Sequence, residues 1–198
     1  MTGELLREQR ELQAAADAAY HDLGLAAALG KIGAPVRVGS AALGLMVARD
    51  LDIDVTCAAL DEHTIADISR LGAGLVLHPR VRQVQIRDDT GAWNVDPRYP
   101  DGVYLGVHYR APDGNDWNLD VWFIDQPDRQ PSTVHLRTLR PRLTDESRAA
   151  ILLIKRALAA RGGPRVSSYD IYTAVLDDGV RTPDEFDRRG TGSPGPRS

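Results

Sequence analysis

The spacing of apolar residues predicts a chain that begins with a helix. Leu12, Ala16 and Leu23 recur near the helical repeat and charged residues fill the positions between them, which predicts a helix over residues 3–29. Helical spacing and capping residues predict further helices over residues 41–48, 61–71, 146–160 and 169–176, and a last short helix beginning at Thr182.

Alternating or short continuous apolar runs predict strands between these helices. They lie at residues 36–38, 51–57, 81–87, 104–110 and 117–124. The turn-forming residues 111–116 predict a hairpin between the last two strands, and the Asp-, Gly-, Asn- and Pro-rich residues 88–102 predict a loop. This order of elements predicts an α/β (α+β) fold, with a mixed sheet flanked by helices and a helical C-terminal part.

Composition places the chain among ordinary globular proteins. It has 198 residues, 42% hydrophobic and 26% charged, with a net charge of −4 and therefore no polybasic character. The single cysteine, Cys57, excludes an intrachain disulfide and a cysteine-based zinc site. The N-terminus lacks the apolar core of a signal peptide, and no apolar run approaches the roughly 20 residues that cross a bilayer. A cytoplasmic protein is expected.

Acidic residues at alternate positions of one predicted strand indicate a site. Asp52 and Asp54 share one face of that strand, where their charges repel each other unless a cation lies between them. Asp120 lies in the middle of a strongly apolar strand, where an unpaired charge is unfavourable. If the two strands are adjacent, the three carboxylates meet. Carboxylates that bridge Mg²⁺ ions serve phosphoryl and nucleotidyl transfer.

These acids also have a structural interpretation. Asp52 and Asp54 are compatible with an edge strand whose acids pair with arginines, and Asp120 with pairing to Arg37 or Arg110. Asp50 is predicted to be a turn residue rather than a ligand.

The segment before these acids carries a resemblance to a known family. An apolar strand, Gly39-Ser40, Asp52-Ile53-Asp54 on the next strand and Asp120 on a later strand together resemble the nucleotidyltransferase superfamily with the polymerase-β-like fold. Gly44 also falls where many members have a glycine. The resemblance covers residues 36–124, and the helices after them match the C-terminal extension usual in the family.

The resemblance implies a domain organisation. Residues 1–130 would form a nucleotidyltransferase catalytic core, and residues 131–187 a helical extension packed on it. Residues 188–198, rich in Gly, Pro, Ser and Arg, are predicted to be a disordered tail.

The resemblance also implies roles for individual residues. Gly39 and Ser40 would hold the phosphates of a nucleoside triphosphate, and Asp52 and Asp54 would bind two Mg²⁺ ions. Asp120 would bind the catalytic ion and help to deprotonate the acceptor hydroxyl. The implied reaction moves a nucleoside monophosphate to a hydroxyl and releases pyrophosphate. The lack of a broad basic surface favours a small molecule or a protein as acceptor over long nucleic acid.

Several other side chains have two interpretations. Lys155 is one of only two lysines and either extends to solvent or reaches the triphosphate. Tyr169 and Tyr172 either pack or stack on a nucleobase, and His108 is either structural or supports the site. Trp117 and Trp122 are predicted in the core or an interface. A basic cluster, predicted to be a solvated loop or a phosphate contact, consists of Arg137, Arg140 and Arg142.

The same sequence admits a second function from a different class. A nucleotidyltransferase fold with weak or no catalysis would serve as a binding partner, for example in a toxin–antitoxin pair. The intact set of three acids argues against this alternative, whereas the apolar segment after Ser40 favours it.

Overall fold

A five-stranded mixed sheet lies at the centre of the fold. The structure is a computed structural model and describes residues 2–96, 99–162 and 166–191. The strands are β1 (Ala34–Arg37), β2 (Asp50–Thr56), β3 (Val81–Asp89), β4 (Gly102–Arg110) and β5 (Asp116–Ile124). Their order in the sheet is β1-β2-β5-β4-β3. β2 and β5 are parallel, and the other neighbouring pairs are antiparallel.

Helices flank the sheet and form the C-terminal part. The helices are α1 (Thr2–Asp22), α2 (Leu25–Leu29), α3 (Gly39–Leu43), α4 (Glu62–Val76), α5 (Pro131–Leu139), α6 (Asp145–Arg161), α7 (Ser168–Leu176) and α8 (Pro183–Thr191). The predicted mixed sheet with flanking helices and a helical C-terminal part is therefore confirmed. Within the described ranges, none of the helices combines the length and apolar character that a bilayer span requires.

The strand alternation buries one face of the sheet. Leu105 on β4 and Leu119 and Val121 on β5 are completely buried, and they pack in one cluster with Ala16 of α1 and Ile68 of α4. Because successive side chains of a strand point to opposite faces, the intervening polar residues of β2, β4 and β5 lie together on the other face. This other face carries the candidate site.

The C-terminal helices pack against the segment that follows α3. Leu43 and Leu45 are buried with Ile151 and Ile154 of α6 and with Tyr172 of α7. The apolar character of the segment after Ser40 therefore has a packing explanation. α6 begins with a capping box, in which the Thr144 side chain accepts from the Ser147 backbone N–H and the Ser147 side chain accepts from the Thr144 N–H.

Several predicted boundaries differ from the structure. The helix predicted over residues 3–29 is two helices, because Gly24 has a left-handed φ of 60° between α1 and α2. The helix predicted over residues 41–48 is the shorter α3, which ends at Gly44 with a φ of 70°.

Other differences concern elements that were not predicted. α5 lies in a stretch with no helix prediction, and residues 91–93 form a short 3-10 helix inside the predicted loop. Residues 188–191, predicted to be disordered, belong to α8, whereas the rest of the predicted tail, residues 192–198, lies outside the described residues.

Candidate active site

Three aspartates of β2 line up on the open face of the sheet. Asp50 begins the strand, and Asp52 and Asp54 follow at alternate positions. The parallel pairing of β2 with β5 places Asp52 directly beside Asp120. The predicted convergence of carboxylates from two separate strands is therefore present for these two residues.

Asp50 joins Asp52 and Asp120 in the tightest group of acids. One carboxylate oxygen of each of these three residues lies within 4.8 Å of the other two. The prediction that Asp50 is a turn residue is wrong, because β2 extends back to it and Asn118 of β5 donates its backbone N–H to the adjacent Arg49 carbonyl at 3.0 Å. The convergence of the carboxylates on one face satisfies the geometric requirement for a shared divalent cation.

The proximity of these carboxylates changes their protonation. Burial, followed by the neighbouring charges of Asp50, Asp120 and Asp54, raises the pKa of Asp52 from 3.8 to about 7, and the charge of Lys155 acts in the opposite direction. A carboxyl group with such a raised pKa is stabilised as an anion when a cation binds next to it. The electrostatics of Asp52 therefore favour a bound cation over an isolated, fully charged cluster.

Asp54 lies one step further along the same face and is more deeply buried. Its side chain is only 3% exposed. Its Oδ2 accepts a short hydrogen bond from the Ser132 hydroxyl of α5, and its Oδ1 has no hydrogen-bond partner among the described residues. Burial raises the pKa of Asp54 to about 6, against the lowering effect of Ser132. Asp54 lines the same cavity as the other three acids.

Gly39 brings the backbone against the cluster. It has a left-handed φ of 59° at the start of α3, and a Cβ atom added there would lie 2.1 Å from Asp52 Oδ2. Only glycine allows the chain to approach this carboxylate so closely. Ser40 follows and lines a cavity of about 610 Å³ that also contains Asp50, Asp52 and Lys155. The predicted Gly-Ser segment is thus in contact with the predicted acids.

Lys155 points into the protein and not to solvent. Its Nζ donates a 2.9 Å hydrogen bond to the Leu45 carbonyl and lies 5.7 Å from the centre of the Tyr172 ring. Burial lowers its pKa from 10.5 to about 8, although Asp52 and Asp50 act in the opposite direction. The interpretation in which Lys155 extends to solvent is therefore wrong, because its side chain lies in the protein next to the acids.

Asp120 has a partner that the sequence did not indicate. Tyr104 of β4 donates its hydroxyl to Asp120 Oδ1 at 2.5 Å. The alternative partners, Arg37 and Arg110, are instead paired with Asp17 and Asp116, respectively. A glycine inside a strand is a sequence signal for close approach, and Gly106 leaves the space that the Tyr104 ring occupies.

Aromatic residues form one wall of a cavity beside the acids. This cavity of about 500 Å³ contains Tyr104 and Trp122 next to Asp120. Arg87 lies over the Tyr104 ring, 4.9 Å from its centre, and Tyr99 stacks on Trp122 with 6.3 Å between ring centres. Trp122 therefore borders the site, although it is nearly buried, as predicted for the core.

The remaining predicted residues are divided between the core and the two cavities. Trp117 and Tyr172 are buried, and Tyr172 also lines both cavities. Tyr169 is partly exposed and stacks on His135 of α5 with ring centres 4.4 Å apart. Two arginines of the basic cluster form ion pairs: Arg142 with Asp177, and Arg137 with Asp128 at 3.7 Å.

The sheet topology, the flanking helices and the cluster of aspartates together make up a nucleotidyltransferase-like α/β fold. The fold is similar to a solved structure of Cid1, which has RNA terminal uridylyl transferase activity, with a TM-score of 0.53. The two are 18% identical, over 86% of this chain and 47% of the Cid1 chain. A second solved structure, of a cytoplasmic RNA terminal U-transferase, has a TM-score of 0.46 and 14% identity, over 88% of this chain and 54% of that chain.

The comparisons by sequence add no relative. No family model matches the chain, and no curated protein matches it. The chain spans about half the length of the two solved structures. At this level of identity, the likeness to Cid1 shows the fold alone.

Proposed function

We propose that this chain is a metal-dependent nucleotidyltransferase. It transfers a nucleoside monophosphate from a nucleoside triphosphate to a hydroxyl of a small molecule or a protein, and it releases pyrophosphate. The observation that carries this proposal is the meeting of the Asp50, Asp52 and Asp120 carboxylates at one point of a nucleotidyltransferase-like fold.

The donor set fits divalent metal ions. Carboxylate oxygens are the ligands that Mg²⁺ prefers, and three of them lie within 4.8 Å of one another. Asp54 lines the same cavity, and its buried Oδ1 has no partner in the described part of the chain. Asp52, Asp54 and Asp120 are the proposed metal ligands for two Mg²⁺ ions, and the geometry adds Asp50.

The nucleotide binds on the Gly39–Ser40 side of the acids in this proposal. Ser40 offers a hydroxyl, and Lys155 offers a cation close to Asp50 and Asp52, in the cavity of about 610 Å³. A triphosphate needs cations and hydrogen-bond donors on the same side, and both are present there.

Asp120 is the proposed acceptor-side group. It lines the aromatic-walled cavity but not the cavity that contains Lys155. A divalent cation bound here would lower the pKa of the acceptor hydroxyl and offset charge on the leaving pyrophosphate. Asp120 would accept the proton of the acceptor hydroxyl. The acceptor oxygen would then attack the α-phosphorus from the side opposite to the departing pyrophosphate.

The acceptor in this proposal is not long nucleic acid. The RNA terminal uridylyl transferase activity of Cid1 supports nucleotidyl transfer as the reaction class. The present chain has a net charge of −4, and this charge disfavours the extended phosphate contacts that bind RNA.

Thermal unfolding with and without ligands tests the proposal. Mg²⁺ together with one of the four nucleoside triphosphates is expected to raise the Tm, and neither ligand alone is expected to give the full increase. Asp120→Asn, which keeps the shape of the side chain and removes one charge from the cluster, is expected to keep or raise its Tm without ligands but to lose the joint effect and pyrophosphate release. Full pyrophosphate release by Asp120→Asn would refute the mechanism. The absence of any nucleotide effect on the original chain would favour a non-catalytic binding role.

A further inference from the structure

A row of polar side chains crosses the open face of the sheet beside the acids. The strand register aligns Gln83 of β3 with His108 of β4, His108 with Asn118 of β5, and Asn118 with Asp50 of β2. The four residues therefore lie side by side across four strands. The buried core occupies the opposite face, so packing does not require polar side chains at these positions.

The next row contains a glycine beside Asp120. Gln85 is aligned with Gly106, Gly106 with Asp120, and Asp120 with Asp52. A Cβ atom at Gly106 would lie 2.5 Å from the Tyr104 hydroxyl oxygen, so a larger residue would displace the tyrosine. The Tyr104 ring occupies the space over Gly106, and the cavity on this face reaches Asp120 beside the Tyr104 hydroxyl.

These two rows enclose a separate cavity of about 280 Å³. We call its wall of Gln83, Gln85, His108 and Asn118 the carboxamide face. Asp120 lines this cavity as well as the aromatic-walled one, and it therefore lies at the junction of the two. No lysine or arginine lines the cavity among the residues that the structure describes.

The amide groups of the carboxamide face are not used by the fold. Within the described residues, the side chains of Gln83, Gln85 and Asn118 make no hydrogen bond to the rest of the chain. Each carboxamide offers both donors and an acceptor, which is the combination that recognises hydroxyl groups. Three such groups beside the proposed proton acceptor form a hydrogen-bonding surface without positive charge.

We propose that the carboxamide face is the acceptor subsite and that it takes a hydroxyl-rich small molecule without phosphate groups. This inference rests on the proposed nucleotidyl transfer, because it uses Asp120 as the group that activates the acceptor. The amides hold the acceptor hydroxyls, and one further hydroxyl reaches Asp120 beside the Tyr104 hydroxyl. The carboxylate of Asp120 at the edge of this cavity is compatible with amino groups on the acceptor.

A nucleic-acid acceptor is disfavoured by the same surface. Binding to a phosphate backbone depends on lysine and arginine contacts, and this cavity has none among its described lining residues. Its volume of about 280 Å³ matches part of a small molecule and not a protein surface. A protein acceptor or an RNA end is therefore an outcome that would count against the proposal.

Isothermal titration of the full chain with two probes tests the inference. The probes are kanamycin, which is rich in hydroxyls and carries amines, and an oligoadenylate of RNA. Kanamycin is expected to bind saturably, and Gln83→Ala and Gln85→Ala are each expected to weaken it about threefold to tenfold, since each removes one or two neutral hydrogen bonds. Gln126→Ala is the matched control, because this exposed carboxamide lies in the loop after β5 and outside the cavity.

Three results would overturn the inference. The first is kanamycin binding that both glutamine variants leave unchanged, since this would be attraction to the acids alone. The second is tighter binding of the oligoadenylate than of kanamycin. The third is no saturable binding of either probe.

The variants also separate this inference from the proposed function. The Tm increase with Mg²⁺ and nucleoside triphosphate is measured on the same proteins, and it is expected to be the same in Gln85→Ala as in the original chain. If kanamycin fails to bind while that increase remains, the acceptor class is wrong and nucleotidyl transfer stands. If the increase is absent from the original chain, the proposed function itself fails.

Discussion

Replacement of Asp52 by asparagine is expected to stabilise the metal-free protein above neutral pH. Asp52 lies among Asp50, Asp54 and Asp120, and burial together with these charges raises its pKa from 3.8 to about 7. A group with a raised pKa in the folded state holds its proton there more tightly than in the unfolded chain. Its ionisation therefore opposes folding, and the effect grows as the pH rises from the unfolded pKa to the folded one. Asparagine cannot ionise and removes this unfavourable term.

The magnitude follows from the two pKa values. With 3.8 in the unfolded chain and about 7 in the fold, ionisation of Asp52 lowers the free energy of unfolding by about 4 kcal/mol at pH 8. At pH 5 the same calculation gives about 1.5 kcal/mol. The stability advantage of Asp52→Asn over the original chain is thus expected to grow by about 2.5 kcal/mol between these pH values.

Urea unfolding with a chelator present, at pH 5 and pH 8, measures this growth. Any constant effect of the amide group cancels in the difference between the two pH values. Asp113→Asn is the control, because hydrogen bonds from Asn115 lower the pKa of Asp113 below its ordinary value of 3.8 and its ionisation favours folding. Both pH values lie above 3.8, so the stability deficit of Asp113→Asn should be nearly the same at pH 5 and pH 8. An advantage of Asp52→Asn that is the same at both pH values, or that shrinks as the pH rises, would refute the electrostatic interpretation of the cluster.

Three further substitutions test other parts of the site. Tyr104→Phe removes the hydrogen bond to Asp120 and is expected to weaken Mn²⁺ binding at least about tenfold by calorimetry. The control Tyr99→Phe is expected to leave Mn²⁺ binding unchanged, and equal affinities of the two variants would contradict a positioning role for the Tyr104 hydroxyl. Gly39→Ala introduces a Cβ atom 2.1 Å from Asp52 Oδ2 at a left-handed φ. The variant is therefore expected to lower the free energy of unfolding by at least about 1 kcal/mol and to abolish Mn²⁺ binding, and retained binding would show that Gly39 does not shape the site. Lys155→Met is expected to weaken nucleoside triphosphate binding about tenfold or more at pH 7. The affinity of the original chain is expected to fall as the pH rises through about 8, where Lys155 loses its proton, and a pH profile identical to that of the variant would exclude a role for this charge.

The sheet and three of the acids were predictable because their signals are local. Alternation of apolar residues with Asp52 and Asp54 fixed their common face, and the apolar neighbours of Asp120 fixed its strand. Their meeting depended on adjacency of the two strands, which the family resemblance supplied and alternation alone does not. In the structure, β2 and β5 pair in parallel and are therefore adjacent.

The missed features depend on contacts between distant segments. α5 begins with proline and contains β-branched residues, so its local helix propensity is low, yet Ser132 bonds to Asp54 and Leu139 is buried in the C-terminal cluster. Asp50 became a strand residue because β5 extends the pairing beyond the predicted strand start. The Tyr104–Asp120 hydrogen bond crosses between strands, and only Gly106 marked its position in the sequence.

The most direct test of the proposed metal site is anomalous diffraction from crystals grown with Mn²⁺ and a non-hydrolysable nucleoside triphosphate analogue. We expect an anomalous peak between β2 and β5, in contact with Asp52 and Asp120, with the triphosphate extending toward Ser40 and Lys155. A Mn²⁺ ion bound elsewhere, or nucleotide bound with no metal at these carboxylates, would contradict it.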